Sequence, residues 1–249
     1  MKHHEASIPN MIEHFQGMPG IIGLFLNGSV ATGTEHEKSD LDGVAVVTEE
    51  FYQQKEKIGK TCESIWGKCT YEGGYFDVHY KTKAQLLAIA DKGSEPMRNM
   101  FSCARTLFTY DAQLPKLISR IPIFQQSEKE EKQLRYYSTF KQSYVDYLVI
   151  CKPVGFARLQ TASRLIFCLY RLILLENGAL FPSIRKLEQT VAAQPNKPPQ
   201  IMEKCAKFME TLSDEDAGEL IKSYESWTSY QFPTDFQFIS NHCVDPYEN

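Results

Sequence analysis

Two aspartates two positions apart, Asp40 and Asp42, stand at the head of an apolar run, and Gly28-Ser29 follows the apolar run before it. A third carboxylate, Asp77, sits in the alternating stretch YFDVHYK. Side chains at i and i+2 of an extended segment project from one face, so Asp40 and Asp42 present two hard oxygen donors to the same volume. Such a pair suits Mg²⁺, which keeps several waters and takes its remaining ligands from substrate phosphates. In YFDVHYK, Asp77 and His79 share one face while Phe76, Val78 and Tyr80 share the other, so packing of the apolar face leaves Asp77 facing a cleft. A third carboxylate beside the first two permits a second Mg²⁺ about 3.5–4 Å from the first. A glycine directly after a strand lets backbone N–H groups approach a triphosphate, and Ser29 adds a hydroxyl donor. If Val30 to Gly33 starts a helical turn, its N–H groups point at the same anion. The chemistry such a set supports is in-line displacement at phosphorus, carried by positioning and charge compensation.

Each feature has an ordinary reading when taken alone: Gly-Ser after a strand is a turn, and Asp-x-Asp before one is a solvated cap. Their joint occurrence, in order and with Asp77 on a later strand, is what points to a site. His79 shares the Asp77 face and reads as a supporting or solvent-facing group. His36, among Glu35, Glu37 and Lys38, reads as solvated, and Ser39 as a hydrogen-bonding partner of its own loop backbone. Arg185 and Lys186 read as a solvated helix face, with contact to a triphosphate from the second half as the alternative.

The elements that must position these residues fall into two halves. From Ile21 to about Asp111 short β-like runs alternate with short helices. IIGLFL (Ile21 to Leu26) and LDGVAVV (Leu41 to Val47) read as strands, the second covered on both faces. KCTY and YFDVHYK flank Glu72-Gly73-Gly74, a hairpin turn signal, and RTLFTY (Arg105 to Tyr110) completes the sheet. Helices are expected at about Thr48 to Gly59, Lys83 to Lys92 and Glu95 to Cys103. Beyond a connection at Ile121–Ser127 the pattern turns helical. Ser127 is expected to cap a helix opened by Glu128, Glu130 and Glu131, with Tyr137, Phe140, Tyr144, Tyr147 and Leu148 as its core stripe. A second helix is expected from Phe156 to Glu176, ended by Asn177-Gly178. Shorter helices follow at about 183–192, 200–211 and 214–230, and the tail after Pro233 is expected to be irregular.

Gly-Ser, a spacer, Asp-x-Asp at a strand head and a later Asp on a neighbouring strand together resemble the nucleotidyltransferase superfamily typified by DNA polymerase β. With its helical second half, the chain is similar more particularly to antibiotic nucleotidyltransferases of the aminoglycoside and lincosamide type. The stretch LLENGALFPSIRKLEQTV is loosely similar to a helix, Asn-Gly turn, Pro and basic helix late in several such proteins. The motif likeness covers about residues 21 to 80. It implies an α+β fold, a polymerase-β-like mixed-sheet domain over residues 1–122 and an all-helical acceptor-binding domain over 123–249, with the active site in a cleft between them. It implies Gly28 and Ser29 as the phosphate-binding pair, Asp40, Asp42 and Asp77 as catalytic ligands of two Mg²⁺ ions, and ATP as donor of AMP to a hydroxyl of a small acceptor. Asp77, or another acidic residue near the acceptor, would take the hydroxyl proton. Gly43 departs from the pattern, since these families often place a larger residue there. The rival readings are a protein-modifying AMP transferase and a nucleotide-binding regulatory module without turnover. A homodimer that completes the pocket is compatible with the pattern.

Composition narrows the classes. Hydrophobic residues at 43% and charged ones at 23% are globular values. A net charge of -4 argues against a long nucleic acid partner, whose phosphates call for a basic excess. MKHHEASIPN has no apolar core of a secretory signal, and the run Leu165 to Leu175 is too short to cross a bilayer and contains Arg171. Seven cysteines without a CxxC pair read as reduced thiols of a cytoplasmic protein.

Overall fold

In the computed structural model, which describes residues 1–244, the two apolar runs of the first half form the centre of a five-stranded sheet. Strand β1 (Ile21–Leu26) pairs antiparallel with β2 (Leu41–Val47), and β2 pairs parallel with β4 (Tyr75–Thr82). An outer strand lies at each edge: β3 (Cys62–Trp66) antiparallel to β4, and β5 (Arg105–Thr109) antiparallel to β1. The order is β3-β4-β2-β1-β5. This is a mixed sheet in an α+β fold.

The sheet separates two apolar clusters. On one side Leu24, Leu26, Ala45, Val47, Phe76, Val78 and Tyr80 pack with α1 (Lys2–Phe15). Helix α1 is not among the expected elements, since Pro9 lies inside it and a mid-helix proline removes a backbone donor. Its buried residues His4, Ser7, Ile8, Met11 and Phe15 nevertheless recur at helical spacing. Met11 and Phe15 have no exposed surface, and each such side chain contributes roughly 1.5–3 kcal/mol by burial. On the other side Phe25, Val44 and Val46 pack beneath α4 (Lys83–Lys92) and α6 (Leu114–Arg120), with Phe101 and Ile121. Helix α4 opens on a capping box, in which Thr82 accepts from the Gln85 N–H and the Gln85 side chain accepts from the Thr82 N–H.

Several expectations are corrected. The antiparallel partner of β4 is Cys62–Trp66 and not the KCTY run, which lies in the loop before β4. CESIW is an edge strand with weak apolar alternation, so its signal is faint, whereas Lys68–Tyr71 is held by side chains of α1: Asn10 Nδ2 donates to the Lys68 carbonyl, and Ser7 Oγ accepts from the Thr70 N–H. The helix expected from Glu95 to Cys103 is the shorter α5 (Glu95–Asn99).

The chain divides at Ile123/Phe124 into two compact units. The second is helical: α7 (Lys129–Gln142), running into a π-helical stretch (Ser143–Ile150), then α8 (Gly155–Glu176), α9 (Ile184–Ala192), α10 (Ile201–Thr211), α11 (Asp214–Trp227) and α12 (Phe236–Asn241). Ser127 does not cap α7. It lies in a 3₁₀ turn (Gln126–Glu128), and Glu128 occupies the cap position. The tail after Pro233 is not wholly irregular, because Asp235 caps α12 by accepting from the Gln237 N–H at 2.9 Å. The aromatic stripe is split. Tyr137, Phe140 and Leu148 are buried, but Tyr147 is exposed with the Arg164 guanidinium 4.4 Å from its ring centre. The wider π turn shifts the helical register after Gln142 and so moves Tyr147 off the buried face. No helix among the described residues is long and apolar enough to cross a membrane.

Candidate active site

Asp42 lies one residue inside β2 and Asp77 two residues inside β4, and the parallel register sets them directly opposite one another. Alternation puts Asp42 on the side of Val44 and Val46, beyond the end of the stretch covered by α4 and α6. On β4 the pattern is regular: Phe76, Val78 and Tyr80 are buried, while Asp77 and His79 are half-buried on the opposite face. Asp40 stands just before β2. One carboxylate oxygen from each of Asp40, Asp42 and Asp77 lies within 4.8 Å of the other two.

The loop that delivers Asp40 is tied down at Ser39. The Ser39 N–H donates to the His36 carbonyl at 3.0 Å, and Ser39 Oγ accepts from the His36 N–H at 3.0 Å. Its carbonyl accepts from the Tyr71 hydroxyl at 2.5 Å and faces His4 Nε2 at 3.1 Å. His4 is fully buried, and burial, followed by the nearby His3, lowers its pKa below 6.5. The Tyr75 hydroxyl faces Asp40. Its attraction for the Asp40 carboxylate raises its pKa most, with further contributions from the charges of Asp40, Asp77 and Asp42. Tyr75 thus registers the negative potential that three converging carboxylates create.

The turn between β1 and β2 presses against Asp42. The Asn27 N–H donates to the Asp42 carbonyl at 2.9 Å, and Asn27 Nδ2 donates to the Met100 carbonyl at 3.1 Å. Gly28 then adopts φ +66°, and a Cβ built there would fall 1.7 Å from Asp42 Oδ2. Only glycine fits. Gly28 and Ser29 open the short helix α2 (Gly28–Thr32), whose first N–H groups have no partner within the helix. Gly43, the departure noted in the sequence, also has a physical reason. A Cβ there would lie 2.5 Å from Met11 Cε of α1, so the helix seated on that face calls for a small residue.

Three carboxylates form a hard, all-oxygen donor set of the kind Mg²⁺ accepts. His79 takes another role. Its Nε2 is 3.6 Å from Cys62 Sγ, and the Cys62 thiol donates to Asp77 Oδ1 at 3.3 Å. Local shielding from water, then the hydrogen bond and charge of Asp77, push this thiol up to about 11. Cys62 was not singled out in the sequence, nor were His4, Tyr71 or Tyr75. Cys62 and His79 are cross-strand register partners, a relationship that appears only once β3 is correctly located. Of the remaining candidates, His36 is exposed with Nδ1 accepting from the Lys38 N–H at 3.2 Å, and Arg185 and Lys186 are exposed on α9.

No protein-family model matches the chain, and no curated protein matches it. Among solved structures it is similar to a nucleotidyltransferase-like protein from Exiguobacterium sibiricum, with a TM-score of 0.48 and 10% identity, covering 90% of this chain and 74% of the other. It is also similar to a spectinomycin adenyltransferase from Enterococcus faecialis, solved with ATP and spectinomycin, with a TM-score of 0.34 and 12% identity, covering 96% of this chain and 98% of the other.

Proposed function

We propose that the chain is a Mg²⁺-dependent nucleotidyltransferase that moves AMP from ATP to a hydroxyl of a small acceptor, an aminoglycoside or lincosamide being the acceptor class implied by the sequence resemblance. The observation that carries this reading is the convergence of Asp40, Asp42 and Asp77 within 4.8 Å, beside a turn so close to Asp42 that no side chain fits at Gly28. Like charges at this spacing repel one another, and a cation bound among them would offset that repulsion.

Asp40, Asp42 and Asp77 would hold the metal. Bound there, Mg²⁺ supplies charge neutralisation at the α-phosphate and at the leaving pyrophosphate. Gly28 and Ser29 bind phosphate oxygens through backbone N–H groups and the Ser29 hydroxyl. Asp77 takes the proton of the attacking hydroxyl onto a carboxylate oxygen. The acceptor oxygen bonds to Pα as the bond from Pα to the bridging oxygen of pyrophosphate breaks. Ser39, through the anchoring of its loop, keeps the first carboxylate in position, and Tyr75 faces it.

Incubation with α-labelled ATP, Mg²⁺ and a panel of aminoglycosides and lincosamides tests this reading, with Asp40→Ala as control. Label on a small acceptor with stoichiometric pyrophosphate is expected for the wild type only. Label on protein would replace the acceptor class with a protein hydroxyl. ATP binding without pyrophosphate release, across a broad acceptor panel, would replace the enzyme with a binding module.

A further inference from the structure

Asp77 belongs to a second ligand set. Cys62 Sγ, an Asp77 carboxylate oxygen and a His79 ring nitrogen all lie within 4.8 Å of one another, with Sγ 3.3 Å from Asp77 Oδ1 and 3.6 Å from His79 Nε2. A tetrahedral zinc ion with bonds of about 2.3 Å to sulfur and 2.0–2.2 Å to nitrogen and oxygen sets its donors about 3.5 Å apart. The two spacings from Sγ match those tetrahedral edges, and the third pair lies within 4.8 Å. The three residues sit on adjacent paired strands, with Cys62 directly opposite His79, so the backbone holds the donors in place. The donor chemistry differs from that of the carboxylate trio, because a thiolate and an imidazole select a borderline-soft ion over Mg²⁺.

We infer that Cys62, Asp77 and His79 form a zinc-class metal site whose occupancy draws Asp77 away from Asp40 and Asp42 and so inhibits the Mg²⁺-dependent reaction. The inhibitory consequence rests on the nucleotidyltransferase reading; the metal site itself does not. On binding, the Sγ–H bond is replaced by an Sγ–metal bond, and the proton now donated to Asp77 passes to solvent. Neutral His79 coordinates through Nε2, Asp77 through a carboxylate oxygen, and water completes the fourth position. With Asp77 held by the second ion, the other two carboxylates keep their places but lose their partner across the strand pair.

Cobalt(II) reports on this site directly, because a thiolate–cobalt bond gives a near-ultraviolet charge-transfer band that carboxylates and imidazoles alone do not. Untagged protein titrated with Co²⁺ is expected to develop that band at one ion per chain, and added Zn²⁺ is expected to bleach it. Cys62→Ser and His79→Asn are expected to abolish it or weaken binding at least tenfold. Cys103→Ser, which alters another exposed cysteine, and Asp40→Asn are expected to retain it. A band that survives Cys62→Ser, or no band in the wild type, overturns the site. In the activity arm, Zn²⁺ at fixed Mg²⁺ is expected to inhibit the wild type, and the half-inhibitory concentration is expected to rise at least tenfold in Cys62→Ser. Equal zinc sensitivity in the two proteins overturns the inhibitory link. A cobalt band in a protein that transfers no nucleotide removes the enzymatic reading and leaves the metal site standing; transfer without a band does the reverse.

Discussion

Asp42 of β2 and Asp77 of β4 are register partners across the only parallel strand pair of the sheet among the described residues. Parallel pairing has a direct consequence. Both strands run the same way, so both carboxylates emerge at the same end and on the same face. Asp40, two residues before Asp42, then needs only a short loop to join them.

Replacing one carboxylate should therefore separate stability from activity. In Asp40→Asn the repulsion within the trio is relieved, so without metal the melting temperature is expected to rise by about 1–4 °C. Mg²⁺ with a nucleotide is expected to raise the melting temperature of the wild type but not of the variant. Transfer activity is expected to fall roughly 100-fold or more, as when one preorganised stabilising group is removed. Differential scanning calorimetry with and without metal reads the first two effects, and pyrophosphate release reads the third.

Two glycines with similar backbone angles give a matched contrast. Gly28 has φ +66° and a Cβ there would lie 1.7 Å from Asp42 Oδ2, whereas Gly33 has φ +69° and open space around it. Gly33→Ala is expected to cost about 1–2 kcal/mol from the left-handed conformation alone, with metal affinity unchanged. Gly28→Ala is expected to cost more and also to weaken metal binding at least tenfold, because Asp42 must move. Equal effects of the two substitutions would show that the turn and the carboxylate are not coupled.

The Ser39 anchor should act on Asp40 at a distance. In Tyr71→Phe the Ser39 carbonyl loses its 2.5 Å hydroxyl donor, at an expected cost of about 1 kcal/mol. Asp40 then has a less constrained approach, so kcat is expected to drop several-fold with the KM for ATP little changed. A rise in KM at constant kcat would assign Tyr71 to nucleotide binding.

His4 ties stability to pH. Its folded-state pKa lies below its ordinary 6.5 because of burial and the neighbouring His3, and burial lowers His14 likewise. The unfolded chain therefore binds more protons than the folded one as pH falls below 6.5, and stability is lost in that direction until the folded-state values are reached. Urea midpoints at pH 7.5 and 5.5 are expected to show a drop at the lower pH that shrinks in His4→Asn. A pH-independent midpoint would contradict the burial of a neutral imidazole.

Arg98 is a structural test of the sheet's helical cover. It is 1% exposed and donates to the carbonyls of Gly93, Ala90, Ile121 and Ile123 at 2.7–3.3 Å. Arg98→Met leaves those carbonyls without their donor, and a loss of about 3 kcal/mol or more is expected. Arg98→Lys is expected to recover only part of it, since a single ammonium cannot span the fork.

The legible parts of the fold were those where one physical signal dominated. The doubly covered strand Leu41–Val47 announced itself by a continuous apolar run, and Tyr75–Thr82 by strict alternation; the three aspartates could be placed from these two patterns alone. The end of α8 was also readable: Asn177-Gly178 provides Gly178 at φ +61°, with the Ala179 N–H donating to the Leu174 carbonyl at 2.9 Å. Other parts depended on contacts distant in sequence. β3 has a weak pattern and is specified by its pairing with β4, so Gly73-Gly74 drew the expected strand too close to the turn. Helix α1 was hidden by Pro9, although His4, Ile8, Met11 and Phe15 carried its period. The supports of the site were invisible for the same reason. Nothing local links His4 to Ser39 or Cys62 to His79.

Manganese binding addresses the trio of carboxylates without requiring the acceptor to be known. Mn²⁺ titrated into the protein with a non-hydrolysable ATP analogue, and followed by the electron paramagnetic resonance signal of the free ion against an analogue-only blank, counts the ions held. The expected result is uptake of two ions per chain beyond the blank, lost in Asp42→Asn and in Asp77→Asn. Uptake that is absent in the wild type, or unaltered when either aspartate is replaced, would contradict a cation site built from Asp40, Asp42 and Asp77.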